Sequence, residues 1–120
     1  LGYGSGFSVT TGSQNTLLGF QVGSISTGTN NIVIGVQCGI ILETGSYNTL
    51  IGAGADVDSS SATSRIALGR NAIADSNYQF ALPDDVTKFK FRGVSYTLPS
   101  SDGTAGQKLT TDGAGNLFWS

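Results

Sequence analysis

GSQNTLLG (Gly12–Gly19), GTNNIVIG (Gly28–Gly35) and GSYNTLIG (Gly45–Gly52) are three versions of one phrase. Each opens and closes on glycine, has Asn at its fourth place, and runs into a short apolar stretch. The apolar-Gly pair that ends it also occurs at Leu1-Gly2 and Leu68-Gly69, so the pairs recur at spacings of 17, 16, 17 and 17. The pattern G-x-x-N-x-x-[LI]-G holds for Gly12/Asn15/Leu18, Gly28/Asn31/Ile34 and Gly45/Asn48/Ile51. A fourth unit reads Ala62/Arg65/Leu68 and has lost both the Gly and the Asn. Atypical terminal units are usual in repeat proteins, where the last copy caps the stack.

The apolar segments are short, rich in Ile, Val, Leu and Thr, and bounded by Gly and Asn. Length and punctuation predict strands rather than helices. Gly and Asn tolerate positive φ, so each G-x-x-N is expected to close a tight corner, with Asn15, Asn31 and Asn48 as corner residues. A strand, a corner, a second short strand and another corner use up 16–17 residues, which makes one turn of a coil. Successive turns then stack as parallel strands about 4.7–4.9 Å apart, and five would give a rod on the order of 20–25 Å long.

Strand side chains alternate between faces. One face carries Thr16, Leu18, Phe20 and Val22, then Ile32, Ile34, Val36 and Cys38, and is assigned to the inside of the coil. The other carries Leu17, Val33, Leu50 and Ala67, each followed two residues later by Gly19, Gly35, Gly52 or Gly69. That second face is also apolar, and a strand apolar on both faces is covered on both. It is expected to be the seam of a homo-oligomer, each buried Leu contributing about 1.5–3 kcal/mol, with the glycines allowing close backbone approach. A ring of three satisfies this, although spacing alone does not choose the number.

The units NTLLGFQVG, NIVIGVQCG and NTLIGAGAD resemble the head repeats of trimeric autotransporter adhesins, the YadA-like head, repeats also found in phage and giant-virus fibre proteins. The resemblance covers roughly residues 1–79. It implies an all-β fold, a left-handed parallel β-roll in a side-by-side homotrimer, with Asn at a corner and an apolar seam on the trimer axis.

Residues 80–120 differ in texture and are expected to form a separate, hairpin-rich module. In ALPDDVTKFKFRGVSYTLP the residues Phe89, Phe91, Val94, Tyr96 and Leu98 alternate with polar ones around Arg92-Gly93, predicting two strands joined by a bulge or turn. KLTTDGAGNLFW reads as a hairpin with Asp112-Gly113 in its turn. The stretch from Tyr96 to Trp119 resembles a segment found late in phage and viral fibre chains, which favours a virion surface fibre over a bacterial cell-surface adhesin.

Composition narrows the chemistry. The 120 residues include 18 Gly, one Cys and no His, only 12% are charged, and the first charged residue is Glu43. With no His, neither a Cys nucleophile nor a Ser triad has its base, and no Cys/His metal cluster can form. Cys38 is expected in the core. Net charge is −2, which argues against nucleic acid even though Lys88, Lys90 and Arg92 interleave with aromatics. No apolar run is long enough for a membrane span. The chain starts at Leu1 and has no Met, and reads as a piece of a longer protein. Asp56 and Asp58 lie in DVDSSSATS and are expected in a solvated loop; a glycan-cleaving role for them is the least favoured reading. Tyr47, at a corner, is the candidate for contact with a host-surface glycan. The expectation is a structural fibre segment that presents adhesive parts for attachment to a host glycan or protein receptor. It is expected to have no cofactor and no catalysis of its own.

Overall fold

The computed structural model describes residues 1–120 and is all-β. The strands are β1 (Thr16–Phe20), β2 (Ile32–Val36), β3 (Thr49–Ile51), β4 (Asp56–Val57), β5 (Ile66–Leu68), β6 (Ile73–Ala74), β7 (Phe80–Ala81), β8 (Lys88–Phe91), β9 (Val94–Thr97), β10 (Leu109–Thr111) and β11 (Leu117–Trp119). They divide between two compact units, Leu1–Pro83 and Asp84–Ser120.

The first unit is a β-solenoid. Its main sheet has five strands in the order β1-β2-β3-β5-β7, every neighbour parallel. The register follows the repeat: Thr16 pairs with Ile32, Ile32 with Thr49 and Thr49 with Ile66. β4 and β6 pair on a second side of the coil. β7 still pairs with β5, so the coil runs past residue 79, where the repeat was expected to stop. Residues ahead of β1 join the stack as well, because Gly19 N–H donates to the Leu1 carbonyl and Gln21 N–H to the Tyr3 carbonyl.

The interior reverses the expected faces. Val33, Leu50 and Ala67 are fully buried, with Leu17 packed against them, and they form the central column of the core. Leu18, Phe20, Ile32, Val36, Ile66 and Leu68 are exposed on the outside. The last places of the expected inner column, Val22 and Cys38, are buried, together with Ala55 and Ala72. The corner between strand and return segment explains this split. Gln21 and Gln37 adopt left-handed φ of +49°, and Gly54 and Asn71 do the same in later turns. A left-handed residue breaks the alternation of faces, so side chains beyond the corner no longer follow the parity of the strand before it.

The glycines after the central column serve the coil itself. A Cβ on Gly19, which has φ +136°, would collide with the carbonyl oxygen of Gly35 in the next turn. The close approach is therefore between turns of one chain, and the expected role of Gly19, Gly35, Gly52 and Gly69 in admitting a partner is corrected accordingly.

The second unit consists of two antiparallel hairpins, β8–β9 and β10–β11. Arg92 and Gly93 link the first, both at positive φ, as a two-residue primed turn requires. Asp112 organises the second by accepting hydrogen bonds from the backbone N–H groups of Ala114 and Asn116. The bond from the Asn116 side chain, with those two backbone bonds, holds its carboxyl below the usual range. Thr97 N–H donates to the Gly115 carbonyl and ties the hairpins together.

Candidate functional site

Asn15, Asn31 and Asn48 stand one above another and form a hydrogen-bonded ladder along one corner of the coil. Asn15 Oδ1 accepts from the Asn31 backbone N–H at 2.9 Å and from Asn31 Nδ2 at 3.1 Å. Asn31 Oδ1 accepts the same pair from Asn48, at 2.9 and 3.0 Å. Each Nδ2 also donates to the carbonyl that begins the next phrase: Asn15 to Gly28, Asn31 to Gly45 and Asn48 to Ala62. The expectation that Asn itself turns the chain needs correction. The left-handed residue is the one before it, namely Gln14, Asn30, Tyr47 and Ser64. The Asn side chain then replaces the sheet hydrogen bonds that the corner interrupts.

Arg65 takes the Asn place in the fourth unit and ends the ladder. Its backbone N–H donates to Asn48 Oδ1 at 3.1 Å. Its guanidinium donates to Asp58 Oδ1 at 2.6 Å, to the Ala74 carbonyl at 2.7 Å and to Asn77 Oδ1 at 2.9 Å. The Arg is buried and all of these acceptors belong to its own chain, so it closes the polar column where no further Asn exists. Asp58 is therefore an ion-pair partner of Arg65, while its side chain stays 49% exposed in the loop after β4, as expected.

Asp56, by contrast, is not the solvated residue expected, being only 4% exposed. Its carboxylate accepts from the N–H groups of Ile40 at 2.9 Å, Ile41 at 3.1 Å and Val57 at 2.9 Å. Turn 34–51 is one residue longer than turn 18–34. Ser24 N–H donates to the Gly39 carbonyl, but Ser26 N–H donates to the Glu43 carbonyl, which places the extra residue at Ile40–Ile41. Asp56 satisfies the amides stranded there. Burial pushes its pKa up, against those three hydrogen bonds. Cys38 is buried beside it, and burial together with the Asp56 charge pushes the thiol up to about 11. A neutral thiol with no neighbouring base is not a nucleophile at neutral pH.

Tyr47 projects from the ladder corner with φ +62°, and Tyr78 does so with φ +63° at 87% exposure. The left-handed region is costly for a bulky side chain. Tyr47 is 62% exposed.

The broadest feature of the unit is the outer face of the five-stranded sheet. Strands β1, β2, β3 and β5 contain no charged residue. Their outward side chains include Leu18, Phe20, Ile32, Ile34, Val36, Ile51, Ile66 and Leu68, with Phe20 stacked on Tyr3 at 5.6 Å between ring centroids. The face is an apolar surface repeated from strand to strand by parallel pairing in register. Searches of protein-family models, curated proteins and solved structures find no match to this chain.

Proposed function

We propose that this chain is a non-catalytic structural segment of a homotrimeric surface fibre, of the virion type, which carries adhesive parts toward a host. The observation that supports it is the uncharged apolar outer face of the long sheet. An apolar patch that runs unbroken along a sheet marks an interaction site, and a repeating coil offers the same strip at every rung. Copies of the same coil match that strip rung for rung, so the seam lengthens as turns are added. Leu18, Ile34, Ile51 and Leu68 replace Leu17, Val33, Leu50 and Ala67 as the seam in this reading. Stacked parallel hydrogen bonds, the Asn ladder and a dry seam together make a stiff rod. The resemblance of the repeats to YadA-like heads, and of residues 96–119 to late segments of viral fibres, favours three copies and a virion.

The experiment is sedimentation of the parent and of Ile34→Asp/Leu68→Asp. The parent should sediment as a trimer. The variant should need a higher chain concentration than the parent to form trimers, while keeping a β-type circular dichroism spectrum, since both positions face outward. A folded parent that stays monomeric, or a variant that assembles over the same concentrations as the parent, would overturn the reading.

A further inference from the structure

Residues 84–120 form a compact unit in which no residue is buried. Its two sheets are two-stranded hairpins. An isolated hairpin is marginal in water, and a chain below about 40 residues rarely folds without disulfides, metals or partners. This unit has no cysteine and no group of side chains suited to a metal. Its apolar residues are nevertheless sorted onto one side. The β8–β9 register sets Phe89 opposite Tyr96 and Phe91 opposite Val94, while Lys88 and Lys90 face the other way, opposite Thr97 and Ser95. Phe89 and Phe91 stack at 6.0 Å, and Phe91 lies 6.5 Å from Tyr96. Leu98 and Leu117 complete an entirely apolar surface depression, yet Phe91 remains 62% exposed.

We propose that residues 84–120 are a self-association module in their own right: the Phe89–Phe91–Tyr96–Leu98–Leu117 face is half of a core that further copies of this chain complete. The occupant has to be present whenever the chain is, because a unit without a buried residue has no folded state to wait in. A second copy meets that condition. Charge permits it as well: Asp84, Asp85, Asp102 and Asp112 balance Lys88, Lys90, Arg92 and Lys108, so like units do not repel through net charge, whereas residues 1–83 carry the whole −2. This rests on the homo-oligomeric reading above but assigns a second, separate surface to it. Assembly and tail folding are then one event, coupled as in other obligate oligomers.

The test uses the whole chain. Trp119 is the only tryptophan and lies in this unit, its Nε1 donating to the Ser101 carbonyl, so its emission reports on the tail alone. Sedimentation, Trp119 emission and amide hydrogen exchange are followed from about 0.1 to about 100 µM chain. The tail amides of β8 and β9 should gain roughly 100-fold protection, and Trp119 should shift to the blue, over the same concentrations at which the chain associates. Phe89→Ser/Phe91→Ser should abolish both tail signals while the β1–β5 amides stay protected. A tail that is protected in the monomer overturns the proposal, as does a tail unprotected in the assembly, a serine variant with parental tail protection, or a chain monomeric throughout. The coil variant Ile34→Asp/Leu68→Asp separates the two surfaces. If it assembles with a protected tail at the parent's concentrations, the module stands and the coil seam fails; if it assembles with a protected tail only at higher concentrations, both surfaces stand.

Discussion

Asn31→Asp replaces one side-chain nitrogen with oxygen at nearly constant shape. The retained Oδ1 can still accept from the backbone N–H and Nδ2 of Asn48. The new oxygen, however, would point at Asn15 Oδ1, 3.1 Å away, and at the Gly45 carbonyl, 2.9 Å away. Two hydrogen bonds become two oxygen–oxygen contacts at a site with no solvent exposure. Leaving a buried polar group unpaired costs about 1–3 kcal/mol, so two such groups predict a loss of about 2–6 kcal/mol. Burial also raises the pKa of the introduced carboxyl. Once protonated it donates to one of the two oxygens, and roughly half of the loss should be recovered near pH 4. Asn31→Ala removes the contacts without adding charge and orphans the Asn48 N–H and the Gly45 carbonyl, with a similar loss of about 2–6 kcal/mol that should not depend on pH. Urea unfolding followed by far-UV circular dichroism at one fixed chain concentration measures both. A loss below about 1 kcal/mol for either variant would refute the claim that the ladder holds the corner.

Leu50→Asp places a charge in the coil core and should cost more than about 5 kcal/mol, so that no folded species survives by circular dichroism, in contrast to the outward-facing pair Ile34 and Leu68. Gly19→Ala sets a methyl group against the Gly35 carbonyl at a strained φ of +136° and should cost about 3 kcal/mol or more by urea unfolding. For Asp56 the folded pKa lies above the ordinary 3.8. Its stabilising contribution is therefore complete below that value and declines as pH rises through the folded value. Asp56→Asn should consequently gain on the parent as pH rises from about 3 to about 7, and an unchanged difference in unfolding free energy across that range would contradict the assignment.

The repeat, the strand type and the parallel register could all be read from the sequence, because one spacing fixes all three. The units of 16 and 17 residues map directly onto the pairs Thr16–Ile32 and Ile32–Thr49. Asp56 and Arg65 could not be placed from local composition. A Ser-rich neighbourhood suggests solvent, and the groups that bond these two side chains lie up to 16 residues away for Asp56 and 12 for Arg65. Arg65 did carry a signal. It stands at the Asn place of the fourth unit, and a polar residue in a buried polar column is expected to satisfy the last member of that column.

The choice of inner face has a similar explanation. Both faces of each strand are apolar, so hydropathy alone cannot decide between them. The polar and glycine positions can. Asn15, Leu17 and Gly19 share one parity, as do Asn31, Val33 and Gly35, and Asn48, Leu50 and Gly52. An amide that must bond the next turn, and a glycine that leaves no room for a Cβ, both belong where turns contact one another. That parity is the inside of the coil. Carrying the other parity through the left-handed Gln21 and Gln37 joined exterior strand residues to the truly buried Val22 and Cys38, and this made the wrong face look like a core. Once the corner is treated as a change of phase, Leu17, Val33, Leu50 and Ala67 are accounted for within one chain. The large apolar residues left exposed on the strands include Leu18, Ile32, Val36, Ile66 and Leu68, so the proposed seam lies on the opposite side of the sheet from the one first expected.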